Sequence, residues 1–73
     1  MEKLKLNYFS LYLKRQLIEE GDPRWKDNAW LNERGDAAAA AFEASRHQRL
    51  TVEEAKEVAY QVLLDGVFSE EGR

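Results

Sequence analysis

Cysteine is absent from this chain, and histidine, proline and methionine each occur once. Without thiols the protein can form neither a disulfide nor a thiolate metal centre. One imidazole leaves too few ligands for a metal set, so neither metal nor cofactor is expected. A single proline, Pro23, leaves long stretches free to be helical. The longest fully apolar run, Ala37 to Phe42, is far below the roughly 18 residues of a membrane span. Charges at Glu2, Lys3 and Lys5 with no apolar core behind them do not make a secretory signal. Together these absences lead us to expect a cytoplasmic protein with no membrane partner.

Seventy-three residues allow one domain, expected to span 1–73. So short a chain buries only about 60% of the surface its unfolded form exposes. With no covalent staple, it must rely on close helix packing or on burial against a partner. The content is 44% hydrophobic and 34% charged, which fits a folded domain rather than a disordered one. A formal net charge of −3 argues against nucleic acid as the first partner to consider. That charge is uneven. Residues 1–26 carry six basic and four acidic groups, a net of +2, whereas residues 27–73 carry five and ten, a net of −5. The asymmetry leads us to expect helix one to dock on an acidic remainder.

Met1 to Leu6 reads as a loose lead-in. Asn7 is a helix cap, and Phe9, Tyr12, Leu13 and Leu17 then recur at three- and four-residue steps. Tyr8, Leu11 and Ile18 are expected to widen that buried face. The helix spans about 8–20 and ends at Gly21. Pro23 opens a short turn through Lys26 with Asp22 as its cap. Trp25 within that turn is expected to form a lid over the core.

A second helix spans about 28–47, capped by Asp27 or Asn28. Leu31, Gly35, Ala38, Phe42 and Ser45 share one stripe. Gly35 costs roughly 1 kcal/mol relative to Ala inside a helix, and a close helix–helix approach would offset that cost. The run Ala37–Ala41 is therefore read as a tight seam, with Trp30, Leu31 and Phe42 filling its wider ends. Thr51 and Glu54 form a capping box for a third helix of about 52–64, burying Ala55, Val58, Ala59, Val62 and Leu63. Asp65-Gly66 stops it, Val67 and Phe68 fold back, and 69–73 reads as a polar tail. The fold expected is all-α, a small three-helix bundle running up, down and up.

The pattern Leu31-x-x-Arg34-x-Asp36-Ala37-Ala38, then Phe42-Glu43-x-x-Arg46, then Ala55-x-x-x-Ala59-x-x-Val62-Leu63-x-x-Gly66-x-Phe68-Ser69 resembles the uncharacterised Bacteroidetes family catalogued as domain of unknown function 1896. Its members are helical proteins of mobile elements such as conjugative transposons. The resemblance implies an intracellular, all-helical protein and supplies no catalytic residues. In this pattern Gly35 stands where Ala is expected.

Glu43 and His47 stand four apart on one helix, a spacing that can serve one metal, but a surface contact near the helix end is the stronger reading. Glu53, Glu54 and Glu57 open helix three, where the dipole alone favours carboxylates. Arg34-Gly35-Asp36 spells a cell-adhesion tripeptide inside a helix, which we read as chance. Arg34 is expected to form a semi-buried ion pair near Asp36 or with the glutamates of helix three. Helices two and three could imitate a helix-turn-helix, yet the acidic start of helix three would meet phosphate unfavourably. No nucleophile–base pair or metal set points to an enzyme.

Two Trp, three Tyr and three Phe are more aromatic surface than so small a core requires. Aromatics left outside a core are typical interface anchors, and Tyr8, Tyr12, Trp25, Trp30 and Phe68 are the candidates. The leading expectation is a non-catalytic protein-interaction module that self-associates, a homo-oligomer. The alternative is a DNA-associated accessory or regulatory protein of a mobile element. If the alanine seam is correct, Ala38→Leu or Ala41→Leu overpacks it and lowers stability by about 1–3 kcal/mol, measurable in thermal melts.

Overall fold

The computed structural model describes residues 5–68, so the expected lead-in over 1–4 and the polar tail over 69–73 lie outside the described residues. Three α-helices make a small all-α bundle: α1 (Tyr8–Glu20), α2 (Asn28–His47) and α3 (Val52–Leu64), with a single 3-10 turn at Pro23–Lys26. No strand occurs among the described residues.

Each boundary has a local cause. Asn7 caps α1 by accepting from the Ser10 amide at 2.8 Å. Gly21, at φ +75°, lets the chain reverse while its amide bonds to Ile18 O and that of Asp22 bonds to Leu17 O. Asp22 caps the 3-10 turn, and Asp27, of the two candidates, caps α2 through the Trp30 amide at 3.1 Å. Thr51 and Glu54 form the reciprocal capping box, at 3.1 and 2.9 Å. The end of α2 repeats the pattern of α1, with Leu50 N bonding to Ser45 O and Arg49 N to Arg46 O. Here the left-handed residue is Arg49, at φ +72°, instead of glycine. A side chain in that region carries a cost of about 1–2 kcal/mol, and the periodicity of α2 gave no sign of it.

The helix α2 is the central element. It pairs with α3 as an antiparallel hairpin and also carries α1, whereas α1 and α3 touch each other least. Phe9, Leu13 and Leu17 from α1, Leu31 and Ala38 from α2, and Ala59 and Leu63 from α3 form the core with Val67. Ala38 has no exposed surface and Ala41 is half-buried. The buried small residues of α2 are thus Gly35, which faces Ser10 of α1, together with Ala38 and Ser45, while α3 buries Ala55 and Ala59. Trp25 packs half-buried on the core, as the lid reading expected. Phe68 packs there too.

Three expectations change on contact with the structure. Tyr8, Leu11 and Ile18 do not widen the buried face of α1 but are 60%, 52% and 50% exposed. The buried arc is completed by Ser10, which has no exposed surface and donates its hydroxyl to Leu31 O at 2.9 Å. Arg34 forms no ion pair with any described residue. Its guanidinium donates to the carbonyls of Leu63 at 2.9 Å, Val62 at 3.3 Å and Asp65 at 2.5 Å. Those oxygens lie at and just past the end of α3, where a cation also complements the dipole. Nor does α1 dock by charge. The one ion pair among the described residues joins Arg24 to its near neighbour Asp22.

Gly35 is a point of close helix approach, as expected. A Cβ built on it would stand 1.7 Å from Ser10 Oγ and 2.6 Å from Asn7 Oδ1. Alanine, the residue the family pattern leads one to expect, does not fit while α1 lies where it does. Asn7 Nδ2 meanwhile donates to Gly35 O at 3.0 Å. Gly35→Ala should therefore destabilise the chain by about 1–3 kcal/mol through overpacking, outweighing a helix-propensity gain of roughly 1 kcal/mol. Urea titration measures the balance, and an unchanged midpoint would mean that α1 does not sit against this glycine.

Candidate interaction surface

Burying Phe9, Leu13 and Leu17 turns the opposite face of α1 to solvent. Tyr8, Leu11, Arg15 and Ile18 follow one another there at three- and four-residue steps, all exposed. Exposed residues of this size at helical spacing form a stripe, not scattered apolar surface. Tyr8, Leu11, Tyr12 and Arg15 line an open hollow of roughly 470 Å³.

Behind the hollow stands a ring cluster that ties α1 to both other helices. Phe9 lies 6.2 Å from Phe42 of α2 and 5.6 Å from Tyr60 of α3, the latter edge-on. Tyr12 lies 4.8 Å from Tyr60. The hydroxyls of Tyr8 and Tyr60 share a hydrogen bond of 3.0 Å. Burial among these rings, aided by the bond to Tyr8, pushes the Tyr60 phenol up to about 12. On the far side, Tyr60 borders a second hollow of roughly 380 Å³ with Glu53, Glu54, Lys56 and Glu57.

The five aromatic candidates do not share one patch. Tyr8 and Tyr12 lie together in the α1 hollow. Trp30 borders a separate depression with Glu33, Arg34, Ala37, Val62 and Asp65, and the guanidiniums of Arg24 and Arg34 stand 5.2 and 5.8 Å from its ring. Phe68 belongs to a third, lined largely by the turn Glu20–Arg24. Trp25 lies half-buried with the amines of Lys26 and Lys14 at 5.5 and 6.0 Å, cation–π contacts of modest strength. Leu11 and Ile18 were missed as surface residues. Their positions across the helical wheel from Phe9 and Leu13 carry the signal, which the apolar character of both side chains obscured.

The remaining polar candidates are placed as follows. Glu43 and His47 are exposed and line a small depression of roughly 210 Å³ with Phe42 and Arg46. Among the described residues no group of three His, Cys, Asp or Glu comes together at metal-binding range. Asp22 is held well below the usual carboxylate range, at about 2, by the Arg24 guanidinium and then by the Arg24 amide. This exposed pair fastens the turn, and Arg24 also donates to Val67 O at 3.0 Å. No described helix is long and apolar enough to cross a membrane.

Comparison with family models gives a match to domain of unknown function DUF1896 over residues 1–70. The chain belongs to this family. No curated protein and no solved structure matches it. The Leu31–Ser69 pattern that carried the resemblance thus lies inside a match covering nearly the whole length.

The raised Tyr60 phenol gives this family member a specific pH dependence. Its folded value exceeds the unfolded one of about 10, so the stability it confers is complete below pH 10. As pH rises from about 10 towards 12, the unfolded chain releases this proton first and stability falls. Tyr60→Phe keeps the ring and removes the proton, so its unfolding midpoint should decline less across that window. An equal decline in the two chains would place the alkaline sensitivity elsewhere.

Proposed function

We propose that this chain is a non-catalytic interaction module that self-associates through the outward face of α1. The observation that carries the reading is the exposed stripe Tyr8, Leu11 and Ile18 on a helix whose opposite face is fully committed to the core. A 73-residue domain with no disulfide gains stability by covering such a stripe. Removing apolar area from water is worth roughly 25 cal/mol per Å². Tyr8 and Tyr12 act as anchors beside Leu11. Trp25, Trp30 and Phe68 contribute mainly to the fold.

The alternative, a DNA-associated accessory role for a mobile element, finds less support. The face of α3 that would read a groove opens with Glu53, Glu54 and Glu57 and carries one cation, Lys56. A cytoplasmic setting accords with a chain that contains no cysteine.

Sedimentation velocity over a micromolar to millimolar range tests the proposal. The chain should shift from monomer to a larger species as concentration rises. Leu11→Glu and Ile18→Glu should each weaken that shift at least tenfold, about 1.4 kcal/mol, while helical content by circular dichroism stays unchanged. A strictly monomeric chain throughout the range would end this reading.

A further inference from the structure

The stripe on α1 does not end at that helix. Through Tyr8, Tyr12 and Tyr60 it runs into the face of α3 that bears Glu53 and Glu57, since Tyr60 contacts both tyrosines of α1 and borders the α3 hollow. One continuous face therefore has two halves. The α1 half holds Tyr8, Leu11, Tyr12 and one charge, Arg15, a net of +1. The α3 half holds three glutamates and Lys56, a net of −2. The sole ion pair among the described residues is Arg24–Asp22, so neither Arg15 nor Glu57 pairs with another described residue.

We propose that two copies of this chain pair about a two-fold axis at the α1–α3 junction, the α1 of each lying on the α3 of the other, with Arg15 facing Glu57 of the second copy. The proposal rests on the self-association reading above and specifies its partner and geometry. Side-by-side halves of opposite charge are self-complementary under a two-fold rotation, and that rotation satisfies both contacts at once in a closed dimer. Head-to-tail stacking would satisfy one contact per interface and leave an unpaired half at each end of the stack. The apolar residues supply the centre and the charges the rim, the usual division of a small interface. At the low end of stable interfaces each partner covers about 600 Å², roughly a ninth of the 5405 Å² of this chain.

The charges permit a test by exchange. Arg15→Glu alone sets glutamate against glutamate at both contacts, and Glu57→Arg alone sets arginine against arginine. Each single variant should remain folded by circular dichroism and raise the dimer dissociation constant at least tenfold. An equimolar mixture of the two variants restores an acid–base pair at both contacts, so it should dimerise about as well as the wild-type chain. Sedimentation at low salt reads all three samples, and wild-type affinity should fall as salt rises. A single variant that dimerises like wild type, or a mixture that stays monomeric, overturns the two-fold arrangement. If Leu11→Glu still abolishes association in that case, the α1 stripe stands and only its partner surface changes. If the wild-type chain never associates, the underlying reading fails with it.

Discussion

The contact between Ser10 and Gly35 fixes the rest of the bundle. Three polar groups meet there in very little space. The Ser10 hydroxyl donates to Leu31 O, the Asn7 amide donates to Gly35 O, and the Asn7 carbonyl oxygen accepts from the Ser10 amide. Asn7 thereby caps its own helix and grips the next one with the same side chain. The absence of a Cβ at Gly35 is what admits Ser10 to the groove. Once Ser10 is seated, the rotation of α1 about its axis is set. Leu13 and Leu17, one and two turns on, then enter the core with no exposed surface. A buried hydroxyl without a partner would cost roughly 1–3 kcal/mol, so the geometry is held by satisfaction of polar groups as much as by apolar area.

Cations attached to backbone carbonyls form the second set of fastenings. Arg34 binds the end of α3, Arg24 binds Val67 O, and Arg46 binds Leu50 O at 2.7 Å. In each case the guanidinium meets an oxygen that secondary structure leaves without a partner, near the end of a helix or in a turn. Exposed ion pairs, by contrast, are typically worth below 1 kcal/mol, and the described residues contain one, Arg24–Asp22. A chain of this size with no disulfide thus closes its helix ends by side-chain donors. The Trp30 ring between Arg24 and Arg34 adds cover where α2 begins and α3 ends.

The price of this arrangement is a flat molecule. Its principal extents are 41 × 37 × 17 Å, and α2 lies between partners that barely meet except at the Tyr60 cluster. A single layer of helices cannot hide both sides of α1. The face of α1 away from Gly35 is consequently left with Tyr8, Leu11 and Ile18 in solvent. The proposed interaction surface is a consequence of how α1 is seated, and the proposed function rests on the packing rather than on any catalytic group.

Local chemistry determined the helices of this protein and where they start and stop. Asn7, Asp22, Asp27, Thr51 with Glu54, Gly21 and Gly66 each act on atoms within a few residues, so their effects are readable in the chain itself. The stripe Leu31, Gly35, Ala38, Phe42 and Ser45 was legible for the same reason, with Phe42 ending half-buried against the core, as was membership of the DUF1896 family from the spacing between Leu31 and Ser69. Tertiary structure alone decided what meets that stripe. Periodicity establishes which residues of α1 share a side, but seven apolar positions over eleven residues leave the centre of the buried arc open. The seating of Ser10 against Gly35 chose it, placing Leu11 and Ile18 outside. In the same way Arg34 had carboxylates within its sequence neighbourhood, and the hairpin geometry brought it carbonyls instead. Arg49 entered the left-handed region because the turn into α3 required it, a constraint that no local propensity of arginine foreshadows. These are all choices between partners distant in the chain, and only the packed bundle makes them.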